Sequence, residues 1–254
     1  MSTIQQEGKM RFTFLGTAPG KSLLGKSHAS YLLERDDKKF LIDCGEGTTQ
    51  RLLEKNMIVD ELDFIIISHL HPDHVSGIFM LLQTLYINKR KKDLFVFLPE
   101  AVEEFKSFME RLYIFSDRFS YHIHIQKYTE QSFKEIGVYP FRNKHLIGYK
   151  SIVEKHNMPN RLLSYSFKIE GKRKSLILSS DISSSDDIAE QVKSCEIIVL
   201  DGIHPSFKSV QELLNKSKTE VYITHGDYAN LQHKYADLLN EKTKLAREND
   251  EIIF

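Results

Sequence analysis

Four side chains that bind transition-metal ions in proteins follow one apolar stretch, residues 64–68: His69, His71, Asp73 and His74. The apolar stretch is predicted to be a buried β-strand, so the four residues lie where it ends. Because alternate residues of an extended segment point the same way, His69 and His71 can approach one ion, while Asp73 and His74 face a second. Imidazole and carboxylate suit zinc, manganese or iron, and the absence of a cysteine ligand argues against a closed structural zinc site. The alternative, in which Asp73 only stabilises the start of the following helix, accounts for one residue of the four.

Two ions need more than these four ligands, since a catalytic zinc ion typically takes about three protein ligands and a water. Three further candidates also follow predicted strands: His145 after residues 137–141, Asp181 after residues 175–180, and His225 after residues 221–224. Each has another explanation when taken singly: His145 as a solvated loop residue, Asp181 as a helix cap and His225 as a turn residue. Their shared position at strand ends favours one common site.

Short β-rich segments alternate with amphipathic ones along the chain. The predicted strands are residues 11–15, 40–43, 64–68, 94–98, 137–141, 164–169, 175–180, 197–201 and 221–224. The predicted helices are residues 46–55, 75–88, 101–112, 210–215 and 228–245. The polar stretch 143–163 is longer than a usual connection and is predicted to be a functional loop. With neither an internal repeat nor a linker, the pattern predicts one layered α/β domain over residues 1–254.

Composition limits the classes of protein that the chain can represent. Lysine plus arginine and aspartate plus glutamate are equal at 35 each, so net charge favours neither non-specific nucleic-acid binding nor an acidic membrane surface. No apolar run approaches the roughly 20 residues that cross a bilayer, and residues 1–10 lack the apolar core of a signal peptide. The two cysteines, Cys44 and Cys195, suit a reducing compartment. We therefore expect a cytoplasmic protein without a membrane partner.

Six segments spread over nearly the whole chain carry a family resemblance: FTFLGTAPG, SHASYLLERDDKKFLIDCGEGTTQRLL, SHLHPDH, VYPFRNKH, LILSSD and YITH. Together they resemble the metallo-β-lactamase superfamily, and within it the ribonuclease Z-like branch. The third segment is similar to the superfamily's H-x-H-x-D-H signature. The first two are similar to the start of the branch, and the last three place His145, Asp181 and His225 at the positions of its later metal ligands.

The resemblance implies a four-layer αββα sandwich with a dinuclear site at one edge of the sheets. It assigns the ligands in two sets: His69, His71 and His145 for one ion, Asp73, His74 and His225 for the other, and Asp181 as the bridge. Asp43, which ends the strand 40–43, is expected to orient ligand imidazoles. The cofactors are therefore expected to be two divalent ions, zinc in the first place, with manganese and iron as alternatives.

Ribonuclease Z-like enzymes favour phosphodiesters, so the resemblance implies a metal-dependent phosphodiesterase acting on RNA or a small nucleotide, with a homodimer as a candidate assembly. Asp73 is expected to orient or deprotonate the attacking water, and His204 is a candidate to protonate the leaving group. His204 lies in the segment 200–204, where the family instead carries His-Glu-Ala-Thr. Only residues 146–180 occupy the place where the family inserts a long tRNA-clamping arm.

Other functions are open at this point. The same metal core supports hydrolysis of a thioester, lactone or sulfate ester, and sequence separates these poorly because substrate contacts lie in loops. A di-iron redox enzyme is disfavoured, since such enzymes generally carry glutamate at the position of His71. A non-catalytic metal-binding module is disfavoured because the expected ligand positions are all filled.

The remaining histidines are expected outside the site. His156 competes with His145 for the same ligand position, and we favour His145 because a strand leads directly to it. His122 and His124 alternate with isoleucines and are predicted to line the exposed face of a strand. His28 and His233 are interpreted as ordinary polar positions.

Overall fold

Two β-sheets form the centre of the protein in a computed structural model that describes residues 10–55 and 61–254. The strands of the first sheet are β1 (Met10–Gly16), β2 (Ser30–Arg35), β3 (Lys38–Cys44), β4 (Phe64–Ile66), β5 (Leu94–Leu98), β6 (Ile123–Lys127) and β13 (Glu251–Ile253). The strands of the second sheet are β7 (Val138–Arg142), β8 (Tyr165–Glu170), β9 (Ser175–Leu178), β10 (Ile197–Asp201), β11 (Glu220–Thr224) and β12 (Thr243–Leu245).

Each sheet combines an antiparallel part with a parallel part. The order of the first sheet is β13-β1-β2-β3-β4-β5-β6, and pairing is parallel from β3 to β6. The order of the second is β12-β11-β10-β9-β8-β7, and pairing is parallel from β9 to β12. Parallel neighbours need crossover connections, and helices supply most of them.

The helices lie between the strands in the sequence. They are α1 (Thr48–Glu54), α2 (Pro72–Val75), α3 (Ile78–Ile87), α4 (Val102–Arg111), α5 (Lys150–Lys155), α6 (Ala189–Val192), α7 (Phe207–Asn215) and α8 (Tyr228–Lys234). Short 3₁₀ turns occupy Ser116–Arg118, Lys134–Ile136, His145–Tyr149, Ser185–Asp187 and Ala236–Leu238.

Alternation along the strands divides the core into layers. In β10, Ile197 and Val199 join a cluster between the two sheets, while Ile198 and Leu200 join a cluster under α6, α7 and α8. Successive strand residues point to opposite faces, so a strand buried on both faces must be apolar throughout. A third cluster packs α1, α3 and α4 on the outer face of the first sheet. The order helix, sheet, sheet, helix confirms the predicted four-layer α/β sandwich.

Some predicted helices differ from the structure. The helix predicted over residues 75–88 is divided into α2 and α3, because Gly77 lies against the loop after β3 and its amide donates to Cys44 O over 2.9 Å. The helix predicted over residues 228–245 is wrong beyond α8. There Asn240 Oδ1 accepts from the amides of Lys242 and Thr243, a turn that leads the chain into β12.

The sequence patterns did not predict some other elements of the fold. Strands β2 and β13 were not among the predicted strands, and the stretch 143–163, predicted to be irregular, contains a 3₁₀ turn and α5. The single domain over residues 1–254 stays a prediction. Across the described residues we find no helix with the length and apolarity that a bilayer span requires.

Candidate metal centre

The predicted ligands meet at one edge of the two sheets because the strands before them share a direction. After β4 come His69 and His71 in a loop and then Asp73 and His74 on α2, while β7, β9 and β11 lead to His145, Asp181 and His225 respectively. Strands β9 and β11 are both parallel to β10, and β7 points the same way since β7 and β9 are each antiparallel to β8. Carboxyl ends of such strands form a natural binding edge.

The side chains form two groups that share one residue. The first group is His69, His71, His145 and Asp181, and the second is Asp73, His74, Asp181 and His225. Within each group the potential ligand atoms lie within 4.8 Å of one another. These groups have the same composition as the two ligand sets that the family resemblance implies.

Asp181 divides its two carboxylate oxygens between the groups. Its Oδ2 lies 3.5 Å from His145 Nε2 and 3.9 Å from His69 Nε2. Its Oδ1 lies 3.2 Å from His74 Nε2 and 3.2 Å from His225 Nε2. A carboxylate placed in this way can serve two ions at once.

The buried atoms of these groups that lack a hydrogen bond of good geometry in the described structure include His69 Nε2, His74 Nε2 and Asp181 Oδ1, of which the last two face each other over 3.2 Å. A buried polar atom without a partner costs about 1–3 kcal/mol, so such atoms are rare unless something binds them. All three face the interior of the cluster, and imidazole nitrogen and carboxylate oxygen are the donors that zinc and similar ions take. The residues therefore fit a pair of divalent metal ions.

Asp43 fixes the orientation of two of the imidazoles. It is fully buried, its Oδ2 accepts from His74 Nδ1 over 2.8 Å, and its two oxygens accept from the amide and hydroxyl of Ser68 over 2.7 and 2.9 Å. Since the Ser68 hydroxyl donates to Asp43, it must accept from His69 Nδ1, 3.0 Å away. Both rings thus carry their Nδ1 proton away from the cluster and direct Nε2 into it, which is how an orienting carboxylate prepares a metal ligand.

The protonation states of the two groups differ without bound ions. Burial lowers the pKa of His69 and His71 below the usual range, and that of His145 to about 4, so the histidines of the first group are neutral. Burial acts in the same direction on His74 and His225, yet Asp181 outweighs it and raises the pKa of both. An ion entering the second group must displace these protons, because a coordinating nitrogen has to be deprotonated.

Backbone conformation also distinguishes the site. Asp43, Ser180 and His225 have φ angles of 59°, 47° and 60°, in the left-handed region that non-glycine residues seldom adopt. Such conformations cost of the order of 1–3 kcal/mol each and concentrate at functional sites. No sequence pattern indicates these conformations, since none of the three residues is glycine.

Close packing explains the glycine that follows Asp43 and Cys44. A Cβ on Gly45 would lie 2.2 Å from the carbonyl oxygen of Asp73, far closer than real Cβ contacts. The loop after β3 therefore touches the backbone of α2, and only glycine permits this approach.

His204 lies beside both groups, although its position in the sequence differs from that of the family histidine. Its Nδ1 is 2.8 Å from Asp201 Oδ2, and its ring centroid is 4.7 Å from that of His145. Asp201 is buried and also accepts from the amides of Ile203 and His204. Burial alone would lower the pKa of His204, but the hydrogen bond and charge of Asp201 raise it.

A lysine that the sequence interpretation missed holds the loop bearing His204. Lys234 Nζ donates to the carbonyl oxygens of Gly202, Ile203 and Pro205 over 2.8, 3.0 and 2.9 Å. An ammonium group has three protons, so these three bonds use all of them. The sequence offered no signal, because Lys234 lies on α8, far from His204 along the chain.

The histidines outside the cluster agree with expectation except for one. His156 is exposed and belongs to neither group, and His122, His124 and His233 are exposed as well. His28, interpreted as an ordinary polar position, is instead buried, with Nε2 3.2 Å from Ser22 Oγ. His28 packs under the loop after β3, where a Cβ added to Gly45 would lie 2.5 Å from the Cβ of His28.

Two facing sheets, flanking helices and this cluster at their shared edge define a metallo-β-lactamase fold protein. The metallo-β-lactamase fold protein YhfI from Bacillus subtilis has a TM-score of 0.74 at 16% identity, covering 97% of this chain and 100% of that one. The short form of human tRNase Z has a TM-score of 0.69 at 18% identity, covering 95% and 98% respectively. At sequence identities this low, the structural likeness establishes the fold alone.

The chain belongs to the family described as anti-Pycsar protein Apyc1, whose model matches residues 10–250. Ribonuclease Z from Metallosphaera sedula is 33% identical over 155 residues, which are 59% of this chain and 50% of that protein. This relative confirms the ribonuclease Z-like resemblance. The chain spans about half the length of the curated relatives it matches, or less.

Proposed function

We propose that the chain is a metal-dependent hydrolase that cleaves a phosphodiester bond in a nucleotide. The observation that carries the proposal is Asp181, whose two oxygens face two separate groups of buried imidazoles. A bridged pair of ions is a recurrent device for displacement at phosphorus. The ribonuclease Z relatives support the same chemistry, since their name describes cleavage of a phosphodiester.

When bound, the ions would activate water and polarise a phosphoryl oxygen. Asp43 and Ser68 hold His74 and His69 in the tautomer that leaves Nε2 free. Asp73, with Oδ2 3.6 Å from both His74 and His225, is placed to orient the attacking water and accept its proton. The catalytic role of Asp73 is part of the proposal.

His204 is the proposed proton donor to the leaving group. Asp201 binds its Nδ1, so Nε2 is the nitrogen that can carry and release a proton. The side chain keeps about a third of its surface exposed, whereas those of His74 and His225 are almost fully buried. A donor must be reachable by substrate, and this exposure suits that task.

A small nucleotide is favoured over tRNA as the substrate. The segment between His145 and Asp181, where the clamping arm of ribonuclease Z enzymes would be inserted, consists of a 3₁₀ turn, α5, β8, β9 and the connections between them. Both strands belong to the second sheet and are unavailable to grip a large RNA. We further propose zinc as the metal, a homodimer as the assembly and the cytoplasm as the compartment.

The family description suggests a biological role, which we extend to this chain: opposition to a Pycsar system. Expression of the chain beside such a system should counteract it, and the His74→Ala variant should not. Equal effects of the two proteins would contradict this role.

An activity panel tests the reaction class. Protein loaded with zinc or manganese is offered bis(p-nitrophenyl) phosphate, cyclic nucleotides, precursor tRNA and a lactone. We expect hydrolysis of the phosphodiesters, with small nucleotides preferred to tRNA. Cleavage of the lactone alone would refute the phosphodiesterase assignment.

Substitution of a ligand tests the centre itself. His74→Ala should bind about one ion fewer per chain and lose at least about 10–100-fold in rate, because losing a ligand costs no less than losing the group that orients it. His233→Ala removes an exposed histidine on α8 and should keep wild-type metal content. Unchanged metal stoichiometry in His74→Ala, measured by elemental analysis, would refute the proposed ligand set.

A further inference from the structure

The segment after His145 exposes apolar side chains next to the metal centre. Leu146 is buried and anchors the segment, whereas Tyr149 and Ile152 are 46% and 54% exposed. Residues three apart on a helical segment are surface neighbours, so these two form a continuous patch at the start of α5. We refer to Tyr149 and Ile152 as the apolar ledge.

The apolar ledge touches the first ligand group directly. The rings of Tyr149 and His71 are 5.5 Å apart at an interplanar angle of 77°, an edge-to-face contact. His71 in turn lies against His145, with 4.9 Å between ring centroids. If a nucleotide phosphodiester is bound among these ligands, its nucleobase, which is one sugar away from the phosphorus, would therefore lie beside Tyr149.

We propose that Tyr149 favours nucleotides over other phosphodiesters by stacking against the nucleobase of the substrate, with Ile152 extending the same surface. A half-exposed aromatic ring at the mouth of a phosphodiester site suits a base, because every base has a flat π-face and stacking tolerates differences in sequence. The inference rests on the proposed phosphodiesterase activity. It adds a group that recognises the part of the substrate lying away from phosphorus.

Two esters with the same leaving group separate recognition of the base from chemistry. Thymidine 5′-(p-nitrophenyl phosphate) carries a base, and methyl p-nitrophenyl phosphate does not. For the nucleoside ester, Tyr149→Ala should raise KM about tenfold, the size expected for one stacking contact, with kcat within about twofold. For the methyl ester, the variant should match the wild type within about twofold.

Binding supplies a second readout that does not depend on turnover. Equilibrium dialysis of thymidine 5′-phosphate should show about tenfold weaker binding to Tyr149→Ala, and near wild-type binding to Tyr149→Phe, which keeps the ring. Tyr113→Ala is the matched control, because Tyr113 is 83% exposed and follows α4. It should leave both measurements unchanged.

The outcomes distinguish the two proposals. If the wild type hydrolyses neither ester, the proposed function fails, and dialysis still tests Tyr149. If Tyr149→Ala slows both esters equally, or leaves nucleotide binding intact, Tyr149 does not contact the base and the inference is overturned. A partner protein as the true occupant of the apolar ledge would give this second result.

Discussion

Asp43 shows how much of this centre depends on a residue that would not itself bind a metal ion. It receives hydrogen bonds from the amide and hydroxyl of Ser68 and from His74 Nδ1, so every partner is a donor. A carboxylate can accept all three bonds. An amide cannot, because its nitrogen only donates.

Replacing Asp43 by Asn should therefore weaken metal binding more than it weakens the fold. The amide nitrogen would face a donor, and His74 would lose the acceptor that keeps its proton on Nδ1. We expect metal affinity to fall about 10–100-fold, measured by competition with a chromogenic chelator. Asp117→Asn, at an exposed position in the turn Ser116–Arg118, is the control and should bind metal normally. Wild-type affinity in the Asp43 variant would contradict the orienting role.

At this scale the sequence was most informative where chemistry and spacing coincide. Imidazoles and carboxylates directly after apolar strands predicted the side chains that meet in the two groups. The partners of His204 were harder to foresee. In the sequence, Asp201 is only one residue of the altered segment 200–204, and Lys234 reaches the loop through three backbone carbonyls that no sequence pattern encodes.

Among the elements, α8 covers the second sheet and also holds the loop that carries His204. Through Lys234 it binds the carbonyl oxygens of the loop that turns His204 towards the cluster. Tyr235, just after α8, adds a fourth bond by donating to Gly202 O over 3.0 Å. The position of the proposed proton donor thus depends on how α8 packs.

Lys234→Met should lower turnover while sparing the metal centre. The apolar stem of the side chain is retained, but three carbonyl oxygens lose their donor, and the His204 loop becomes less constrained. We expect kcat to fall about tenfold, a partial loss of the roughly 100–10,000-fold that general acid catalysis contributes, with metal content unchanged. Lys218→Met, at an exposed position between α7 and β11, should have neither effect. A loss of bound metal in Lys234→Met would mean that the lysine supports the whole cluster instead of the loop.

Element boundaries explain which predictions failed. Helical spacing of Leu231, Tyr235, Leu238 and Leu239 predicted one long helix, yet the turn at Asn240 and pairing with β11 make residues 243–245 a strand. A three-residue strand is too short to show alternation, so its pairing decides its state. The division of residues 75–88 has a similar cause, since the contact between Gly77 and the loop after β3 is tertiary.

At the scale of the whole molecule, the candidate centre joins the two sheets. Four candidate ligands follow β4 of the first sheet, and three follow β7, β9 and β11 of the second. Each group of ligand atoms contains members from both sheets. Bound ions would consequently cross-link the two halves of the sandwich at its edge.

Removing the ions should therefore destabilise the entire fold. At a free ion concentration of about 100 times Kd, binding stabilises the native state by about 2.7 kcal/mol. For a chain of this length that corresponds to roughly 5–10 °C in Tm. Calorimetry of the wild type with and without a chelator measures the difference. The Asp181→Ala variant should have nearly the same Tm in both conditions. An unchanged Tm of the wild type after verified metal removal would argue against ions that bridge the sheets.

The same arrangement has a consequence for biosynthesis. The ribosome supplies His69, His71, Asp73 and His74 first, then His145 and Asp181, and His225 last of the seven. At roughly 5–20 residues per second, the stretch from Asp181 to His225 takes several seconds to make. Throughout that interval the nascent chain holds every residue of the first group and lacks one residue of the second. The order of strands along the chain thus sets an order in which the two halves of the centre can be completed.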